Sequence, residues 1–130
     1  MDTNAIIDLT GGLLPSTSEA WLENIINRNQ QSLSVVTRIE VFAKPISVEE
    51  HATIQLLIDS SLIYGLTESV IQETIRLRQT YRRKLPDAII AATALVHNLT
   101  LVTRDAAGFR AIAGLKVIDP HDAANLPALM

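Results

Sequence analysis

The chain has 130 residues, 48% of them hydrophobic, with 11 Lys and Arg set against 14 Asp and Glu and no cysteine. That length and apolar content suit one domain with its own core and argue against disorder. The lack of cysteine excludes disulfide frameworks, thiolate zinc sites and cysteine nucleophiles, and the net charge of −3 argues on its face against a nucleic-acid binder.

The charge is unevenly spread: five of the basic residues, Arg76, Arg78, Arg82, Arg83 and Lys84, fall within nine positions. The acidic start Met1-Asp2 and the lack of an apolar run after it argue against a signal peptide. The longest apolar run, Ala88 to Val96, is far below the ~20 residues of a membrane span, so a soluble cytoplasmic protein without a membrane partner is expected.

In chain order, Met1 to Thr3 reads as a stub of strand, and Asn4 to Leu9 as a short helix ended by Gly11-Gly12. Ser16 with Glu19 reads as a capping box for a helix whose Trp21, Leu22, Ile25 and Ile26 share one face. Ser32 to Val36 is a strand, and "TRIEVFA" from Thr37 a short helix. Ser47 with Glu50 opens another helix, carrying Ile54, Leu57 and Ile58. "LIYGL" at Leu62 is a third strand, and Thr67 caps a long helix running to about Arg83. The buried-looking helix "PDAIIAATALV" follows, then the strand "TLVT" at Thr100, a short helix at Ala106 and the strand "LKVI" at Leu115. Short apolar strands alternating with helices predict βαβ units and a parallel sheet covered on both faces, within a single domain over 1–130.

In open α/β sheets, sites form beyond the carboxyl ends of the strands. Four carboxylates map there: Asp2 after the first strand stub, Glu40 in the first turn of the helix after "SLSVV", Asp87 at the helix feeding "TLVT", and Asp105 just past that strand beside Thr103. Each has a plain structural reading too. Glu40 with Thr37 makes a T-x-x-E capping box, Asp87 behind Pro86 suits an early helical position, and Asp105 suits a turn or N-cap. Four like charges on one sheet edge, however, need a positive occupant. His51, His97 and His121 lie away from the strand ends, so the ligand set is all oxygen, which selects Mg²⁺ or Mn²⁺ over zinc. A lysine or arginine of the same chain filling that pocket would count heavily against this reading.

"DTNAIIDL" at the start, "TRIEVFA" around Glu40, "LPDAIIAATALVHNLTLVTRDAAGF" from Leu85 and "VIDP" near the end resemble a PIN-domain ribonuclease of the VapC toxin type. The likeness spans nearly the whole chain in order, and the block from Asp87 to Asp105 is its most specific part. It implies an α/β fold, a three-layer α/β/α sandwich around a mostly parallel four- to five-stranded sheet. It also implies an acidic quartet, Asp2, Glu40, Asp87 and Asp105, binding one or two Mg²⁺ or Mn²⁺ ions, with Asn4 and Thr103 in support. Family members carry several apolar residues before the first aspartate. Here only Met1 does, so either strand one is short or the chain starts upstream.

The expected activity is metal-dependent endoribonuclease cleavage, as the toxin half of a toxin–antitoxin pair. The resemblance also implies a homodimer and a cognate antitoxin partner, with the helices near 17–28 and 48–60 leaving apolar surface for it. Arg82, Arg83, Lys84 and Arg104 are candidate RNA contacts, with Tyr81 available to stack on a base; the competing reading of the strip is a solvated helix face. One alternative is a non-catalytic PIN-like module binding RNA or protein. Another is a metal-dependent phosphatase of an Asp-x-Asp family, weakened here because Asn4 stands where the acid is needed.

Overall fold

The computed structural model describes residues 3–28 and 30–127. Helices α1 (Thr3–Thr10) and α2 (Ser16–Asn27) precede β1 (Ser32–Ser34), α3 (Val35–Ala43) and α4 (Val48–Asp59). Next come β2 (Leu62–Tyr64), α5 (Glu68–Tyr81) and α6 (Leu85–Val96). The chain continues with β3 (Thr100–Val102), α7 (Ala106–Arg110), β4 (Lys116–Ile118) and a 3₁₀ turn, Ala123–Asn125.

The strands pair in parallel, β1 with β2 (Leu33 opposite Ile63) and β3 with β4 (Leu101 opposite Val117). Side-chain alternation then splits the core in two. Leu101 and Val117 face a cluster built with Val70 and Leu77 of α5, Ile90 of α6 and Phe109 of α7. Val102 and Ile118, one residue on, face the opposite cluster of Ile6, Leu22, Val41 and Ile54 from α1 to α4. Helices therefore cover both faces of the strands, as the expected three-layer sandwich requires.

Helix α6 explains itself: Ala88 to Ala94 are all buried, and a helix apolar on every side is stable only in such surroundings. It touches both β1 and β3 and packs along α5. Ser34, Ser47 and Thr67 cap α3, α4 and α5, each hydroxyl accepting a first-turn backbone N–H.

Several expectations need correction. Among the described residues the strands form two two-stranded sheets rather than one of four or five, and a cavity of ≈ 240 Å³ lined by Leu33, Ile90, Leu101 and Val102 lies between them. Thr3 opens α1 rather than ending a strand, and Met1 and Asp2 lie outside the described residues. Pro15 stands at the N-cap of α2, so the Ser16–Glu19 capping box does not form. The second strand stops at Ser34 because the Ser34 hydroxyl accepts from Val36 N–H and starts α3 at Val35. Thr37 is thus a buried helical residue, not a cap, and Glu40 falls in the second turn of α3.

Candidate active site

Two of the four proposed acids come together beyond the carboxyl end of β3. Asp87 occupies the third position of α6, behind Pro86, where a carboxylate complements the helix dipole. Asp105 is the N-cap of α7, but its side chain makes no cap bond. Its backbone N–H instead donates to the Thr103 hydroxyl at 3.1 Å, a local turn that ends β3 and turns Asp105 outward. Thr103 is itself fully buried, and its own N–H donates to the carbonyl of Ile118.

Between the two acids lies Arg83. Its Nη2 donates to Asp87 Oδ2 at 3.4 Å and to Asp105 Oδ2 at 3.3 Å, while the guanidinium stacks 4.5 Å above the Phe109 ring. Arg82 brings it there. The three residues linking α5 to α6 reverse the chain through Arg82 in the left-handed region, at φ 52. That conformation is costly for a residue with a Cβ, and it turns Arg83 away from the outer face of α5.

A chain arginine across the acids is the contact that would weigh against a metal site, so its strength matters. Both bonds are longer than the ~2.7–2.9 Å of a good charge-assisted pair. The acid side chains are 38% and 59% exposed, and the buried Arg83 Nε has no hydrogen-bond partner among the described residues. The pairing is loose, and one guanidinium cannot neutralise two carboxylates. Two convergent carboxylates with an open side fit a hard dication, since Mg²⁺ is commonly held by one or two carboxylates with its remaining positions filled by water or phosphate.

The other candidates are placed less directly. Asp2 and the side chain of Asn4 lie outside the described residues. Glu40 is half-buried on α3, which packs against α6. Among the described residues no three His, Asp or Glu side chains gather as a metal-binding group, so Glu40 does not complete one with Asp87 and Asp105.

The basic strip breaks up in three dimensions. Arg76 is held by the Glu73 carboxylate, whose hydrogen bond raises the arginine's pKa. Tyr81 packs on the second core and its hydroxyl accepts from Ala113 N–H at 3.1 Å, so its ring is not a free stacking platform. Arg82 and Lys84, the chain neighbours of Arg83, are exposed.

Arg104 reaches the other way. Its Nη1 lies 3.4 Å from Oδ1 of Asp8, whose Oδ2 is 2.8 Å from His121 Nε2. Asp8 is 1% exposed, and its pairing with His121 was not legible in the sequence, because 113 residues separate them. The only available signal was a carboxylate on the inner face of an apolar helix.

Away from the acids, α1, α2 and α4 frame an open groove of ≈ 420 Å³ lined by Leu9, Ile26, Leu56 and Leu57. Leu56 there is 72% exposed. Among the described residues no helix is long and apolar enough to cross a membrane.

The PIN domain family model matches residues 1–115. No curated protein matches the chain significantly. Among solved structures, a toxin–antitoxin complex from Klebsiella pneumoniae is 33% identical, covers 92% of this chain and 94% of its own, and superposes with a TM-score of 0.74. FitAcB from Neisseria gonorrhoeae is 27% identical, with 92% and 95% covered and a TM-score of 0.72. VapBC2 from Rickettsia felis, bound to a promoter DNA fragment, shares the fold at 19% identity, with 90% and 94% covered and a TM-score of 0.75. Matched over most of its length by the family model and by a structure one-third identical to it, the chain belongs to the PIN-domain family.

Proposed function

We propose that this protein is an Mg²⁺- or Mn²⁺-dependent endoribonuclease, the toxin of a toxin–antitoxin pair. The observation that carries the reading is the convergence of Asp87 and Asp105, beyond the end of β3, on a single cationic nitrogen. PIN domains are generally nucleases, and the 33%-identical relative was solved as a toxin–antitoxin complex.

When bound, the divalent ion acidifies a water and polarises the phosphoryl oxygens. Asp87 and Asp105, with Asp2, are the residues to hold it, and Thr103 fixes the turn that presents Asp105. Asn4 takes the supporting place that the family resemblance assigns it beside Asp2. Glu40 either orients the attacking water or serves a second ion. The water oxygen bonds to phosphorus in line, the bond to the 3′ oxygen breaks, and that oxygen leaves with a proton. The products carry 5′-phosphate and 3′-hydroxyl ends. Arg82 and Lys84, exposed on either side of Arg83 in the chain, grip the backbone; Arg83 and Arg104 must first leave carboxylate partners to do so.

Phosphate contacts of this kind release counterions. RNA affinity is therefore expected to fall steeply with salt, and Arg82→Ala and Lys84→Ala should each lower the log–log slope by about one. A binding curve flat between low and moderate salt would remove both residues from the interface.

Arg83 lying across the acids favours a second reading, a PIN-like module that binds RNA or protein without catalysis. Metal titration separates the two. At a hundredfold excess over Kd, Mn²⁺ should stabilise the catalytic protein by about 2.7 kcal/mol, a rise of several degrees in Tm. A binding-only module would show none.

The antitoxin partner and a homodimer belong to the same proposal. Support for a docked partner comes from the apolar groove between α2 and α4, where Leu56 is left exposed.

A further inference from the structure

Arg83 sits in a built seat. The Phe109 ring lies beneath it, Asp87 and Asp105 face its Nη2, and Gly108 closes the side. A Cβ at Gly108 would fall 2.8 Å from Arg83 Nη1 and 3.0 Å from Asp105 Oδ2, so a side chain there would push the tips of both aside. The arginine side chain is 19% exposed, more enclosed than either acid it touches. The position is also poorly rewarded, with two long bonds and a buried Nε that has no partner among the described residues.

A group so placed has a specific electrostatic consequence. Without it, two carboxylates sharing one edge repel; with it, they are held together at the cost of blocking their shared face. We propose that Arg83 is an intramolecular counter-cation that keeps Asp87 and Asp105 convergent and competes with a divalent ion for them, so that metal loading requires the guanidinium to leave its seat. This rests on the metal-dependent reading of the acid pair and adds to it the residue that sets the affinity. A dication gains about twice the Coulomb energy of a guanidinium from the same two carboxylates, so it wins at sufficient concentration. Apparent affinity is the intrinsic affinity multiplied by the fraction of molecules whose seat is empty.

Calorimetric titration of the full chain with MnCl₂, beside Arg83→Gln and Arg83→Lys, tests the idea without any assay of cleavage. Arg83→Gln should bind Mn²⁺ about tenfold tighter than the parent or better, having lost a positive charge within a few ångströms of the ion. Arg83→Lys should stay close to the parent. Before metal is added, Arg83→Gln should melt lower than the parent, and Mn²⁺ should restore it by more than it raises the parent. Tighter binding by the Gln variant, including the case where it alone binds, supports competition. Equal or weaker binding by a folded Gln variant, with the parent binding normally, overturns the role of Arg83 and leaves the metal site standing. No binding by any of the three overturns both.

Discussion

Asp87→Asn is expected to lower RNA cleavage at least about a thousandfold, because losing a metal-binding charge forfeits ~4 kcal/mol or more of transition-state stabilisation. The fold should survive. Asp87 stands in the first turn of α6, where the dipole rewards a carboxylate by only about 0.3–1 kcal/mol. Its pair with Arg83 is long and partly exposed, so losing it costs little more. The change also removes repulsion between Asp87 and Asp105, which offsets part of that loss. Circular dichroism and thermal melting should match the parent within a few degrees, while single-turnover cleavage of a structured RNA in Mg²⁺ falls to background. A folded Asp87→Asn protein that cleaves at the parental rate and still needs Mg²⁺ would remove the acid pair from catalysis. Asp105→Asn tests the partner acid in the same way.

The parts of this structure readable from sequence are those set by local pattern. Seven consecutive buried residues in α6 showed as an apolar run, and the apolar triplets of β3 and β4, with Leu33 of β1, showed as strands between helices. Asp87 and Asp105 were found because each borders β3 or its feeding helix. Boundaries were less secure. Ser34 ends a strand and caps a helix at once, and that double use moved Glu40 a turn deeper into α3 than its spacing from "SLSVV" suggested.

Arg83 was legible only as a candidate RNA contact; its place between Asp87 and Asp105 was not. On a helical projection it belongs with the solvated strip of Arg76 and Arg78, and only the left-handed Arg82 with the ring of Phe109 redirects it. Neither a positive φ at a residue with a side chain nor a contact across 22 residues, as with Asp105, leaves a mark in periodicity. Trp21 is a similar case. Its apolar face was legible as core, but its Nε1–H donates to the carbonyl of Pro127 at 2.8 Å, 106 residues away.

The second large effect is expected at Asp8, where charge ordering rather than size decides the outcome. Asp8 is 1% exposed, while the side chains of its partners Arg104 and His121 are 53% and 34% exposed. Removing the acid lets both partners turn to water, so Asp8→Ala should cost about 2–3 kcal/mol, mostly for the packing and hydrogen bonds lost. Removing both partners instead leaves the carboxylate buried without counter-charge or donor from either. The double variant Arg104→Ala/His121→Ala should therefore cost more, about 3–5 kcal/mol, although it deletes the more exposed groups. Adding Asp8→Ala to that double variant should recover stability, a sign that no sum of independent truncations reproduces. The His121 contact also holds the segment after β4 to α1, reinforced by Asp119 Oδ1 accepting the His121 backbone N–H at 2.8 Å. Losing the partners should accordingly raise hydrogen exchange in that segment before it raises exchange in α6. Urea melts of the parent, the single acid variant, the double and the triple provide the check. A triple variant no more stable than the double would show that Asp8 carries no buried charge needing compensation.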